Sequence, residues 1–292
     1  MSEKPQLRTY QIADLAFYIA NPKCANLSDP GTGKTPSVCV YAYWLWTEKK
    51  IRSAWVMPKS LLKKNRDELL RFTHFTPDDI VIIDGPREKR AKLMASDAKV
   101  FLMGFDRWSA DWTTMIEMHP DLKALLVDEI HLGYGSMSAQ RTKQMVQSAR
   151  HMERFLAMTG TLINGRLDSA YPTIHVIEPR YYGSDKAFIN YHAIKDDYGT
   201  IIGWQNHHKL AAILGRHAIR HSFEEVYGKE AKVIIREEVE MSEQQRKAYD
   251  QFEANAILEL QDEFLSSGGV GGVHALRCRQ IMQHPETFGI AH

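Results

Sequence analysis

The chain is poor in cysteine, in net charge and in long apolar runs. Its three cysteines, Cys24, Cys39 and Cys278, are scattered and odd in number. They lack metal-ligand spacing and cannot form a closed disulfide framework, which predicts a reducing compartment. No apolar run approaches the ~20 residues of a membrane span, and the first residues lack the apolar core of a signal peptide. Together these absences predict an intracellular, cytoplasmic protein with no membrane partner. With 37 Lys and Arg against 36 Asp and Glu, the formal charge is +1. That excludes a global pull toward nucleic acid, so any such binding must use local basic patches. There is no internal repeat. The one low-complexity segment, Ser266–Gly272, reads as a flexible loop.

What is there is an ordinary globular composition, 44% hydrophobic and 25% charged over 292 residues. Short apolar runs recur at Ser53–Met57, Ile80–Ile83, Val100–Met103, Leu125–Val127 and Phe155–Met158. Continuous runs of that length suit strands buried on both faces. Helix-like stretches lie between them, at Leu61–Phe72, Arg87–Ser96 and Ser138–Ala149. Such alternation predicts an α/β fold with a parallel sheet, whose ligands bind at the carboxyl ends of the strands. After residue 165 the pattern turns helical and aromatic. Lys232–Ile235 is a candidate strand, and Ser242–Leu265 a long helix with Ser242 as its N-cap.

The segment Asp29-Pro30-Gly31-Thr32-Gly33-Lys34-Thr35 reads as a phosphate-binding loop. Its two glycines let backbone N–H groups curl toward an anion. Lys34 supplies charge for the outer phosphates, and the Thr35 hydroxyl can sit on magnesium. The general pattern has a glycine where Ser28 stands, and a Gly-rich turn before a helix would share much of this sequence. Ala25-Asn26-Leu27 is too short to be a convincing strand alone. Beyond the loop, Pro36 fits a first helical turn, and Val38–Trp46 suits a buried helix whose N-terminus favours phosphate.

Leu125-Leu126-Val127-Asp128-Glu129-Ile130-His131 is an apolar strand ending in two carboxylates. Asp128 can hold magnesium, and Glu129 can orient and deprotonate an attacking water. An acidic turn after a buried strand would look the same by itself. Thr159-Gly160-Thr161 follows the next apolar run. It is a good turn sequence, and it also offers hydroxyls that can bond the carboxylates and report nucleotide state.

In this order the motifs resemble superfamily-2 helicases and translocases, in particular the Swi/Snf-type branch acting on double-stranded DNA. Asp128–His131 is similar to their DExH box. Asp29–Thr35 resembles their loop, in which a small residue such as Ser28 replaces the first glycine. Leu7-Arg8-Thr9-Tyr10-Gln11 resembles L-R-x-Y-Q, which implies that Arg8 and Gln11 serve the nucleotide and that Gln11 reads adenine, so ATP rather than GTP. Val56–Leu62 is similar to V-x-P-x-S-L-L, which touches one DNA strand and implicates Pro58, Lys59, Ser60 and Lys63. Thr159–Asn164 resembles T-G-T-P-x-x-N with Leu162 in place of proline. Ile219-Arg220-His221, Val239–Tyr249 and Ala275–Pro285 resemble later family segments. His131, by its place in the box, implies coupling to Thr159, Gly160 and Thr161. Departures at Asn65, Met103-Gly104-Phe105, His221 and Phe223 are expected to bear on DNA contacts more than on ATP binding.

The resemblance implies a RecA-like P-loop NTPase lobe over 1–165 and a helical and strand extension packed on it over 166–265. It implies a Gly-rich loop and linker helix over 266–292, leading toward a second RecA-like lobe. That second lobe, in cis or trans, supplies arginines to the ATP site. The expected ligands are ATP and Mg2+, the expected partner double-stranded DNA, and the expected activity ATP-driven translocation, weak in this lobe alone. A half-motor that binds nucleic acid or a partner without hydrolysis, or a motor subunit of a restriction or recombination system, is the alternative. Lys59, Lys63 and Arg66 fall at helical spacing and could grip phosphates. A solvated helix face is the plainer reading of such a run, and Arg141 and Lys143 are read that way. His207, His208, His217 and His221 lack zinc spacing. Trp44, Trp46, Trp108 and Trp112 read as packing residues.

Overall fold

Each apolar run becomes a strand, and alternation along it sorts its side chains onto two faces. The computed structural model describes residues 4–228, 239–263, 278–279, 281–283 and 286. The chain divides into two compact units, Met1–Ala231 and Lys232–His292. In the first, α1 (Thr9–Ala20) leads to β1 (Lys23–Asn26) and α2 (Lys34–Lys49). The alternation continues through β2 (Arg52–Met57), α3 (Leu62–Phe72), β3 (Ile80–Ile83), α4 (Arg87–Met94), β4 (Val100–Gly104), α5 (Phe105–Met118) and β5 (Leu122–Asp128). A turn of helix, α6 (Ile130–Gly133), then α7 (Gln140–Ala149), precede β6 (Arg154–Met158).

Beyond β6 lie α8 (Tyr171–Ile177), α9 (Pro179–Tyr182) and α10 (Asp185–His192). An antiparallel hairpin of β7 (Ala193–Lys195) and β8 (Ile201–Trp204) follows, then α11 (His207–His217), β9 (Ala218–Ile219) and α12 (Phe223–Tyr227). The sheet is parallel throughout, in the order β3-β4-β2-β5-β6-β1-β9. This is the expected RecA-like α/β sheet. Beyond residue 165, β9 joins the later segment to the same sheet. The sequence run at β1 looked too short for a strand. It holds because parallel partners on both sides, β6 and β9, satisfy its backbone.

Period-two alternation builds two cores. Phe101, Leu125, Val127 and Phe155 face Trp108 and Met145 on one side of the sheet. Trp55, Leu102, Leu126 and Leu156 face Tyr18, Tyr41 and Leu69 on the other. Each such large side chain contributes about 1.5–3 kcal/mol by leaving water. The Trp108 indole N–H donates to the Ser148 hydroxyl at 2.9 Å and that of Trp112 to Gln144 at 2.6 Å. Trp44 and Trp46 lie under cations, Lys49 and Lys99 among them.

In the second unit, α13 (Glu243–Glu263) begins where the sequence places it, with the Ser242 hydroxyl accepting from the Gln245 N–H at 3.3 Å. The candidate strand Lys232–Ile235, the glycine-rich segment and most of Ala275–Pro285 lie outside the described residues. No helix among the described residues is long and apolar enough to cross a membrane.

Candidate nucleotide-binding site

The phosphate loop links the end of β1 to the start of α2. Gly31 and Gly33 sit at φ of 81° and 80°, a region that costs glycine nothing and strains other residues. A Cβ at Gly33 would also stand 3.1 Å from the Gln11 amide nitrogen. Lys34 opens α2, and its ammonium donates to the carbonyls of Ser28 and Asp29 at 2.7 and 3.1 Å. Burial lowers the pKa of Lys34, opposed by Glu129, Asp128, Asp29 and Asp14. Thr32 is buried and its hydroxyl donates to the Asp29 carbonyl at 2.8 Å. Pro36 falls in the first turn of α2, where a missing N–H costs no helical bond.

The acidic pair stands at the end of β5, across β6 from the loop. Asp128 Oδ1 accepts the Glu129 N–H at 3.0 Å, and Asn65 Nδ2 lies 3.4 Å from Oδ2. Burial, then the neighbouring Glu129, push the Asp128 carboxyl up to about 6. Glu129 adopts φ 47°, ψ 48°, a left-handed conformation that strains a non-glycine residue. Lys34, Thr35, Asn65, Asp128 and Glu129 line one cavity of about 330 Å³. Behind it, His131 Nδ1 lies 2.7 Å from the Thr159 hydroxyl and 3.5 Å from the Glu129 carboxylate. The Thr161 N–H donates to the same hydroxyl at 2.9 Å. Gly160 packs on the loop itself: a Cβ there would lie 2.5 Å from Pro30 Cδ.

Gln11 donates to the Gly33 carbonyl at 2.9 Å and accepts the Arg8 N–H at 2.9 Å. The Arg8 guanidinium lies 5.3 Å from the centre of the Tyr227 ring. Arg8, Gln11, Gly33 and Tyr227 line a neighbouring cavity of about 290 Å³. Pro58, Lys59, Ser60 and Lys63 do not join either cavity. Lys59 lies in a 3-10 turn (Lys59–Leu61) that Pro58 starts, ahead of α3, so Lys59, Lys63 and Arg66 do not share one α-helical face. Ser60 and Lys63 are exposed. Arg141 pairs loosely with Asp106 at 3.7 Å.

Sequence reading missed the polar support of the loop. Asn26 accepts the Ser28 N–H at 2.9 Å and donates to Tyr18 at 2.6 Å and Asp14 at 3.3 Å. His221 Nε2 lies 2.8 Å from the buried Asp14 carboxylate. Burial raises the Asp14 carboxyl, and the His221 bond opposes that. The signal was present: α1 buries Gln11, Asp14 and Tyr18, a polar stripe at helical spacing. A second set comes from far along the chain. Arg220 pairs with Asp29 at 3.5 Å, the Phe223 N–H donates to Asp29 at 3.1 Å, and the Tyr227 hydroxyl donates to the Gly31 carbonyl at 3.1 Å. His221 and Phe223 therefore bear on the phosphate loop and its support, and Asn65 on Asp128, so these positions touch the candidate nucleotide site as well.

The donor set fits a magnesium-bound nucleotide. Hard oxygens from Asp128 and Thr35 face one cavity with the Lys34 ammonium. A glycine-rich loop between strand and helix, an acid pair two strands away in the sheet, and this strand order define a RecA-like P-loop NTPase. The model of the SNF2-related domain matches residues 22–287. The chain belongs to that family. Human "DNA annealing helicase and endonuclease ZRANB3" is 25% identical over 166 residues, 56% of this chain and 15% of that protein. "Chromodomain-helicase-DNA-binding protein 8" of Xenopus tropicalis is 24% identical over 288 residues, 90% of this chain and 12% of that protein. The chain thus spans less than a sixth of either relative. The solved "Sulfolobus solfataricus SWI2/SNF2 ATPase core in complex with dsDNA" shares the fold at TM-score 0.63 and 19% identity, over 99% of this chain and 61% of that one.

Proposed function

We propose that this chain is the ATP-binding half of a motor that hydrolyses ATP to move along double-stranded DNA. The supporting observation is that loop and acid pair line one cavity, with Thr159 reaching the Glu129 carboxylate at 3.5 Å and Gly160 packed against Pro30. Lys34 binds the β- and γ-phosphates. Thr35 and Asp128 hold Mg2+, which when bound neutralises charge developing on the phosphates. Glu129 takes the proton of the attacking water. Gln11 and Arg8 receive the adenine end, selecting ATP. His131, Thr159, Gly160 and Thr161 relay the state of the site toward DNA. A second RecA-like lobe, in cis or trans, supplies the arginines that complete transition-state stabilisation. The DNA named for the relatives and for the solved neighbour supports the choice of track.

The test is ATP turnover with no DNA, single-stranded DNA and duplex, on this chain and on any longer gene product. Slow turnover by this chain, raised by the longer product and most by duplex, is the expected pattern. Full-speed hydrolysis by this chain without DNA would remove the need for a second lobe. Indifference of every product to DNA would remove the track.

A further inference from the structure

Three neighbouring strand ends, those of β3, β4 and β2, carry a further cavity of about 250 Å³. Lys59, Leu62, Asp84, Phe105, Asp106 and Arg107 line it. Asp84 stands between two cations there. Its Oδ2 is 2.8 Å from Lys59 Nζ and its Oδ1 is 3.8 Å from Arg107 Nε. The Lys59 side chain is 74% exposed and that of Arg107 43%, so both can meet a ligand from solvent. The bond from Lys59 holds the Asp84 carboxyl below its ordinary range.

The carboxylate is positioned from behind. Gly85, at φ +107°, turns the chain just after Asp84, and its carbonyl accepts from Arg90 Nη1 at 2.9 Å. Arg90 is gripped by Asp111 of α5 through two bonds of 2.6 and 3.1 Å, in a buried pair. A braced pair of oxygens carrying one negative charge thus bridges two exposed cations from different strand ends. The non-bridging oxygens of a phosphodiester carry the same charge in a similar fork. Exposed ion pairs contribute little to folding, so exchanging one anion for another here costs the fold little.

We propose that Lys59 and Arg107 form a backbone-phosphate site for DNA, and that the Asp84 carboxylate occupies it internally until DNA displaces it. This rests on the DNA-motor reading above. It adds Arg107 as a phosphate contact and Asp84 as a built-in competitor that weakens DNA binding.

The experiment is fluorescence anisotropy with a labelled duplex, on the full chain at low salt and then over a salt series. Asp84→Asn should tighten binding about three- to tenfold, the worth of one or two exposed ion pairs. Lys59→Gln and Arg107→Gln should each weaken it and lower the slope of log affinity against log salt by about 1. The gain from Asp84→Asn should vanish when both cations are replaced. Glu117→Gln removes an equally simple surface charge at the far end of α5 and should change affinity by less than about twofold. If Asp84→Asn gains no more than Glu117→Gln, or gains equally without the cations, displacement is wrong while DNA binding stands. If the wild-type chain binds no duplex at low salt, the motor reading falls and takes this site with it.

Discussion

Replacing Asp128 by Asn should stabilise the fold while destroying the site. Asp128 lines the candidate nucleotide cavity, with its carboxyl raised from 3.8 to about 6 by burial and by Glu129. The folded chain therefore holds this proton more tightly than the unfolded chain does. Stability is highest when Asp128 is protonated, falls as pH rises from about 4 through about 6, and stays at its lower value above that. A shift of about two units corresponds to about 3 kcal/mol. Water reaching the carboxylate from the cavity screens part of this, leaving about 1–2 kcal/mol. Asn keeps an oxygen for the Glu129 N–H at 3.0 Å, and a flipped Asn65 can pair with its amide. The assay is urea unfolding followed by tryptophan fluorescence, in buffer free of magnesium and nucleotide. The variant should be more stable than wild type at pH 7.5, and the difference should fade toward pH 4. Equal gains at both pH values, or a loss at pH 7.5, would refute the reasoning.

Three further outcomes are expected. Lys34→Ala should weaken binding of a fluorescent ATP analogue about 10- to 150-fold, the worth of a charged hydrogen bond, with an unchanged circular dichroism spectrum; unaltered affinity would sink the phosphate-loop assignment. Gly160→Ala puts a Cβ 2.5 Å from Pro30 Cδ and 3.2 Å from its nitrogen, so it should cost about 1–3 kcal/mol as overpacking and weaken nucleotide binding in the same titration. Asp111→Ala strands the buried Arg90 guanidinium, otherwise held at 2.6 and 3.1 Å. It should cost about 3–5 kcal/mol in urea unfolding, with much of that recovered in Arg90→Met/Asp111→Leu.

The strands β2 to β6 were legible because each is a continuous apolar run, and burial on both faces leaves no other use for one. The loop and acid pair were legible because their chemistry requires particular residues at local spacing. What stayed hidden is non-local or very short. The two-residue β9 carries no periodicity, yet it completes the edge beside β1. His221 reaches Asp14 across 207 positions, which no local pattern reports. Lys59 was misplaced on a helix face because spacing alone ignores Pro58, whose φ of −54° and ψ of 138° delay the α-helix by a 3-10 turn. Asn65 read as a departure in a DNA-contacting segment, while its amide reaches the acidic pair.

Sheet order explains why the Thr-Gly-Thr segment lies where it does. Strand β6 runs between β5, which ends in the acid pair, and β1, which ends in the phosphate loop. Whatever follows β6 therefore stands between the two halves of the site. Thr159 turns toward the acids, meeting His131 at 2.7 Å and Glu129 at 3.5 Å. Gly160 turns toward the loop and touches Pro30. Its φ lies outside the left-handed region that Gly31 and Gly33 occupy, so turn preference does not account for the glycine. Close approach does: any larger residue would fill the space that Pro30 takes. A shift of the loop toward a phosphate must then change the Pro30–Gly160 contact, because close-packed atoms have no slack to absorb it. In the proposed motor the same strand end would carry that change to Thr159, and so to the residues around Glu129, which sits in a strained backbone conformation.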